Sequence, residues 1–511
     1  MWEPLIDGLN IVFSLGGLAA MVFGVAVGIS VGAMPGLSAA MGVALLIPVT
    51  FSMDPSIGLI LLGSVYIGAI YGGSISAILI SVPGTPASIA TSFDGFKMTK
   101  NGEADKALKV SISSSFVGGV IGALALIFMA PPLAKIALSF GPDEYFWVAV
   151  FGLTIIVSLA SENPIKGFIS ACIGFFIGVI GMDPLIGNTR FTFGNVNLLS
   201  GINVVVLLIG LFSVPQALEM IENSGKLNQA SSIMKRKKII GVGEVFREMK
   251  GCIATLLRSS FLGTLIGIIP GAGANIASYV GYNEAKRWSK TPGKFGTGIS
   301  EGIAASEAAN NAVVGGSLVP LLTLGVPGNM VAAVMIGGLM IHGLSPGPML
   351  FVQDAQIVYS FMGAILFGNF IMLILGYYGA NLFVNVVKIR NNILAPVVLV
   401  LSVVGSYALQ NSMFDVGLML AFGVLGYLMK KTNISSAPAV LALILGPMAE
   451  LNLRRAMQIS RSPLVFFSGL IDWILIILTV LSLVFAVYVF VRDRKAQHAG
   501  AIEQALHSDN E

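Results

Sequence analysis

Apolar stretches of about 18 or more residues, the length at which a helix spans ~30 Å of hydrocarbon, recur along this 511-residue chain from Ile11 to Val491. With no water in hydrocarbon, every backbone N–H and C=O needs a partner within the protein, so segments of this length and pattern must span as helices. Only 11% of the residues are charged, against roughly 25% in a soluble domain, which leaves no room for a sizeable soluble domain. The expectation is an all-α polytopic membrane protein with about 12–15 membrane segments.

The placement of charge gives an orientation. The net charge of +4 is too small to argue for nucleic acid, and the basic residues sit in separate short loops. Basic loops hold Lys97, Lys100, Lys106 and Lys109; Lys235 to Lys238 and Lys250; Lys286, Arg287, Lys290 and Lys294; Lys388 and Arg390; Lys430 and Lys431; and Arg492, Arg494 and Lys495. The loops at 52–56, 131–144, 182–197, 342–356 and 410–415 are poor in Lys and Arg. The positive-inside rule puts the first group in the cytoplasm, with the N-terminus outside and the C-terminus inside. Arg454, Arg455 and Arg461 fit badly: either Ala437 to Glu450 is re-entrant or the rule has an exception there. The start, with Glu3 and Asp7 and no basic residue, reads as leading into a retained membrane helix rather than a cleaved signal. Cys172 and Cys252 suit neither a disulfide framework nor a metal site and read as small core residues.

The chain is duplicated. Gly28-Ile-Ser-Val-Gly32-Ala-Met-Pro35-Gly36 matches Gly263-Thr-Leu-Ile-Gly267-Ile-Ile-Pro270-Gly271 at a constant offset. Downstream, Gly72-Gly73-Ser74-Ile75 and Val82-Pro83-Gly84-Thr85 are echoed by Gly315-Gly316-Ser317-Leu318 and Val326-Pro327-Gly328-Asn329, with one residue inserted. An odd number of crossings between the repeats makes them inverted, an architecture common among secondary transporters. The expected divisions are repeat 1 at 1–225, a basic linker at 226–251, repeat 2 at 252–491 and a polar tail at 492–511.

Pro removes a backbone donor and Gly tolerates open conformations, so each Pro-Gly pair should break a helix or turn a re-entrant hairpin. The half-helix that follows offers unpaired N–H groups and a positive dipole end, a cradle for a carboxylate. Candidate substrate-binding residues are therefore Pro35, Gly36 and Ser38; Pro83, Gly84, Thr85 and Ser88; Pro270, Gly271 and Asn275; and Pro327, Gly328 and Asn329. The competing reading is that Pro, Gly and small residues merely kink and pack membrane helices.

The segments Gly32-Ala-Met-Pro-Gly-Leu37, Ser81-Val-Pro-Gly-Thr-Pro86, Ile269-Pro-Gly-Ala-Gly273, Ser306-Glu-Ala-Ala-Asn-Asn-Ala312 and Leu324-Gly-Val-Pro-Gly-Asn329 resemble the signature blocks of the large membrane subunit of the tripartite tricarboxylate transporters. The likeness runs from about Leu9 to Val491. It implies a bacterial inner-membrane permease working with a small four-helix membrane subunit and a periplasmic solute-binding protein. It also implies uptake of citrate or related carboxylates driven by an ion gradient, Na⁺ or H⁺, rather than by ATP. The sequence agrees in lacking a Gly-x-x-x-x-Gly-Lys-Ser/Thr phosphate loop. From the residues themselves, no other cofactor, no metal and no catalytic residue is expected.

Ionisable residues inside membrane segments are functional suspects. Glu307, with Asn310 and Asn311 three and four residues on, is the candidate cation-coupling group; the competing reading is a solvated helix start in which Glu301 and Glu307 complement the dipole. Asp54 before Pro55 reads as a turn and cap. The other function classes are an intramembrane enzyme and a channel acting on a small anion or lipid. Against the enzyme, His342, His498 and His507 have no neighbours suggesting a triad, and there is no His-Glu-x-x-His.

Overall fold

The computed structural model describes residues 2–159, 164–222, 240–271, 273–379 and 391–484. The basic run 235–238, the loop with Lys388 and Arg390, most of the linker 226–251 and the tail 492–511 lie outside the described residues. Two compact units emerge: Met1–Leu138 with Asn203–Tyr427, and Ser139–Ile202 with Leu428–Glu511.

The first unit opens with α1 (Trp2–Val12), α2 (Leu15–Ala33), α3 (Ala39–Thr50), α4 (Pro55–Ile80), α5 (Ile89–Lys100) and α6 (Ala104–Ala137). The second unit contributes α7 (Pro142–Leu159) and α8 (Pro164–Gly178). The chain then returns to the first unit through α9 (Val204–Leu208), a π-helical turn and α10 (Val214–Glu222). It continues with α11 (Val242–Gly251), α12 (Ile253–Ile268), α13 (Gly273–Trp288), α14 (Ser300–Leu324), α15 (Met330–Ile341), α16 (Leu350–Gln353) and α17 (Ala355–Tyr378). Helices Asn391–Gln410, Met413–Lys431 and Ala437–Ser460 follow. Among the described residues, eight helices are long and apolar enough to cross a membrane, and α11 with α12, bent by 70°, makes up to a ninth. The chain is a multi-pass membrane protein.

Each Pro-Gly pair falls between helices, and the four breaks are of two kinds. Thr255 near the start of α12 and Ser289 just after α13 both donate to Glu301, so α12 and α13 form a re-entrant hairpin with both ends together. The start of α2 and the end of α3 likewise both meet the start of α4: Gly16 faces Ile57, and Gly58 packs by Thr50. The other two breaks interrupt full crossings. Helix α4 begins beside Thr50 and His342, whereas α5 ends beside the 296–299 loop. Helix α14 starts by Glu301, and α15 runs out to His342, which bonds Thr50 at 3.1 Å. Equivalent half-helices thus point to opposite ends of the unit, as inverted repeats require.

Close packing depends on glycine. Gly28 and Gly32 of α2 lie against the carbonyls of Val65 and Ala69 on α4, leaving no room for a Cβ, and Gly263 and Gly267 of α12 lie against those of Ala309 and Val313 on α14. Small residues let membrane helices approach and gain dispersion contact that no hydrophobic effect supplies between lipid-solvated helices. These contacts also correct the sequence register. Val65, Ala69 and Gly72 answer to Ala309, Val313 and Gly316, so no residue is inserted between the glycine pairs and the Pro-Gly breaks. Matching Gly72-Gly73 to Gly315-Gly316 by identity is off by one.

In the second unit, Ala437–Ser460 is one unbroken helix, closed by Arg461 in the left-handed conformation. Arg454 bonds the buried Asp183 at 2.7 Å and Glu450 at 3.3 Å, and Arg190 bonds the same two carboxylates. The segment is not re-entrant. Arg454 instead shares an ion network with the 182–197 loop. A lone exposed pair contributes little, but a network around a buried carboxylate fixes the loop. Cys172 is exposed, so only Cys252 is a core cysteine.

Candidate functional site

Within each repeat the two breaks touch. The Gly84 N–H donates to the Gly73 carbonyl at 3.2 Å, and Gly84 lies on the Gly32 carbonyl too closely for any side chain. In repeat 2 the Gly328 N–H donates to the Ser317 carbonyl at 3.3 Å, and the Gly271 N–H donates to the Gly328 carbonyl at 2.9 Å. Gly36 and Gly271 adopt φ of 91° and 83°, a region side chains avoid. The N–H groups of Gly84, Gly271 and Gly328 are thus satisfied by protein. Counting the breaks in chain order, break two (Pro83-Gly84) meets α4 at Gly73, while break four (Pro327-Gly328) meets it through Asn329 at Tyr66, seven residues earlier, a separation of about 10 Å at 1.5 Å per residue. In repeat 1 the structure sets Gly84 on Gly32, just ahead of Pro35 and Gly36, and in repeat 2 it bonds Gly271 directly to Gly328.

The side chains after the breaks are partly used as caps. Ser38 Oγ accepts the Met41 N–H at 3.2 Å and Asn329 Oδ1 the Ala332 N–H at 2.8 Å, each taking one of the four N–H groups a helix start leaves open. Buried Thr85 and Ser88 share a hydroxyl bond of 2.9 Å. Asn275 is exposed on α13.

The corrected register sets Tyr66 of α4 equivalent to Asn310 of α14, and Asn329 equivalent to Thr85. Tyr66 closes its break: Asn329 Nδ2 donates to its hydroxyl at 2.7 Å and Ser317 Oγ lies 3.1 Å away. Asn310 does not. It is fully buried on α14, which packs on the turn Pro86–Ser88, yet both its amide atoms lack a hydrogen-bond partner. By register, Asn310 is therefore the counterpart of Tyr66 in the other repeat.

Glu307, also fully buried, is not a solvated helix start. Its carboxylate accepts from Thr91 of α5 at 2.5 Å, Ser115 of α6 at 2.8 Å and Asn311 at 3.4 Å. Thr91 also lies 3.0 Å from Ser306. The Asn311 Oδ1 and the buried Tyr71 hydroxyl have no partner. Among the described residues no Lys, Arg or His forms an ion pair with Glu307. A bare carboxylate in such surroundings is costly, and hydroxyl donors offset only part of that cost. The carboxylate, the neighbouring hydroxyl and amide oxygens and the single negative charge suit one hard monovalent cation or one proton.

Break two is tied to this carboxylate through α5. Thr91 and Asp94, three residues apart on one helical face, both reach repeat 2. Asp94, fully buried, accepts the N–H groups of Gly296, Gly298 and Ile299 at 2.8–3.0 Å and the Tyr282 hydroxyl at 2.8 Å. Asp94 thus caps α14, whose own N-cap residue Ile299 supplies no side-chain bond. Sequence reading missed Tyr66, Thr91, Asp94 and Ser115. Asp54 does cap α4, through the Ser56 N–H at 2.9 Å.

Residues 18–441 match the family described as "Tripartite tricarboxylate transporter TctA family". An Agrobacterium vitis protein described as an uncharacterized 52.8 kDa protein in the TAR-I ttuC' 3' region is 35% identical over 466 residues, 91% of this chain and 90% of that protein. A second from the same organism, in the TAR-II ttuC' 3' region, is 34% identical over 236 residues, 46% of this chain and 98% of that protein. No solved structure matches. A multi-pass chain with duplicated Pro-Gly breaks, matched over most of its length, belongs to the TctA family of tripartite tricarboxylate transporters.

Proposed function

We propose that this chain is the permease of a binding-protein-dependent secondary transporter that takes up citrate-like carboxylates by cation symport and alternating access. The family name supports a tricarboxylate transporter subunit with partner subunits. The observation that carries the finer reading is Glu307, a buried carboxylate without a cationic partner, held by Thr91 on the same half-helix that begins at break two. Cation arrival at Glu307 and anion arrival at break two would be linked through α5, because movement of that helix changes both.

The anion would sit between the paired breaks, near Thr85, Ser88 and the unpartnered Asn310 amide, with half-helix N–H groups supplying positive potential. Neutral donors avoid the cost of a buried Lys or Arg. Glu307 with Asn311 would take Na⁺ or H⁺, offsetting the anion's charge before the inward transition. A small four-helix membrane subunit and a periplasmic solute-binding protein would complete the system in a bacterial inner membrane, with the basic loops cytoplasmic, the N-terminus outside and the C-terminus inside.

The test is uptake of labelled citrate and other carboxylates into proteoliposomes containing this chain, the small subunit and the binding protein, under imposed Na⁺ and H⁺ gradients. Saturable accumulation that follows one gradient is expected. Equal uptake without any gradient would overturn symport.

A further inference from the structure

We propose that Asp143, Glu144 and Asp472, in the second unit, form a binding site for a divalent cation of the calcium class. One carboxylate oxygen from each lies within 4.8 Å of the others. The three come from two helix starts, that of α7 and that of Leu470–Val484. Each start folds an acid back over a glycine three residues earlier: the Gly141 N–H donates to Glu144 Oε2 at 2.6 Å, and the Gly469 N–H donates to Asp472 Oδ2 at 2.9 Å. A Cβ at Gly469 would stand 3.1 Å from Asp472 Oδ2 and 3.5 Å from Glu144 Oε1, so glycine keeps open the point where two carboxylates converge.

Asp472 supplies the second observation. It is fully buried, and its Oδ1 has no hydrogen-bond partner. A buried, unpartnered carboxylate oxygen beside two further carboxylates is neutralised either by a proton or by a bound cation, and the convergence of three acids favours a cation. Among the described residues no Lys, Arg or His forms an ion pair with any of the three. Each helix N-terminus supplies roughly half a positive charge, too little for three carboxylates.

The donor set selects the ion. It is all oxygen, which excludes the soft metals that want Cys or His. Calcium binds oxygens at about 2.3–2.6 Å, so ligands on opposite sides of one ion stand about 4.6–5.2 Å apart. Oxygens within 4.8 Å of one another can therefore share it. Asp143 and Glu144 are half-buried, leaving room for waters to complete a flexible shell. Trp147 Nε1 donates to the Phe466 carbonyl at 2.7 Å, and its ring packs on Phe467, which packs on Trp473. The ion would join two helix starts already held by these aromatics.

The test uses the full chain purified in detergent and stripped of metal with a chelator. Terbium, which occupies calcium sites, should luminesce on excitation of Trp147 and Trp473, and calcium should displace it. Calcium alone should raise the midpoint of thermal unfolding. Asp472→Asn, which retains an acceptor for Gly469, and Glu144→Gln, at a half-exposed position, should each weaken calcium binding about tenfold or more. Asp54→Asn, an acid outside the cluster, should not. No calcium-dependent shift, a shift undiminished in both variants, or a midpoint that follows pH alone would overturn the proposal. Magnesium acting as strongly as calcium would overturn the calcium-class assignment.

Discussion

Break four and break two occupy equivalent places in the two repeats, yet one is closed and the other open. At break four, Asn329, Tyr66 and Ser317 satisfy one another. At break two, Thr85 bonds only its neighbour Ser88, and Asn310, in the place of Tyr66, has no partner. The backbone scaffold is the same, with a glycine on a glycine carbonyl in each repeat, so the fold does not require the difference. Fold symmetry accounts for the breaks, and the unpartnered amide at the counterpart of Tyr66 is the difference the proposed anion site would use.

Glu307→Gln is the largest expected break in that comparison. Removing the charge while keeping the shape should abolish gradient-driven accumulation, leaving at most equilibration of substrate. Accumulation at wild-type level in E307Q would separate the open break from ion coupling altogether. Thr91→Val comes next. It deletes a hydroxyl bond to a charged acceptor, worth about 1.5–3 kcal/mol, and should weaken cation activation of uptake roughly tenfold or more. Thr91→Ser, which keeps the hydroxyl, should restore it; failure of rescue would make Thr91 a packing residue.

The paired substitutions Tyr66→Phe and Asn310→Leu sharpen the comparison by opposite signs. Tyr66→Phe strands the Asn329 amide at the closed break and should destabilise the ligand-free protein by about 1–3 kcal/mol. Asn310→Leu removes an amide that already lacks partners, so it should be neutral or stabilising in thermal unfolding, while reducing uptake. Destabilisation by both would mean that the two breaks are equally closed in the resting protein.

The breaks themselves were legible because Pro and Gly act on the backbone wherever they stand. Their kind was not. A hairpin and a broken crossing begin from similar apolar runs, and only contacts such as Thr255 and Ser289 with Glu301 separate them. The register slipped by one because Gly72-Gly73-Ser74 matches Gly315-Gly316-Ser317 in identity, whereas helix contact is set by which glycine meets which carbonyl. Glu307 stood out as an acid in an apolar run. Thr91 did not, since hydroxyl residues are common in membrane helices and its partner lies 216 residues away. Arg454 looked misplaced for the same reason: Asp183, which neutralises it, is 271 residues away.

Ser38→Ala should have the smallest effect. Ser38 Oγ accepts one N–H at the start of α3, and losing such a cap costs about 0.5–2 kcal/mol. The remaining N–H groups of that turn, and the break itself, survive the change. If the anion is held chiefly by backbone donors, stability should fall by that amount while the apparent affinity for substrate changes only a few-fold. Parallel uptake titrations and thermal unfolding of S38A would separate the two quantities. A fall in affinity far beyond the fall in stability would assign the Ser38 hydroxyl to the substrate, because its hydrogen is free to donate while its oxygen caps the helix.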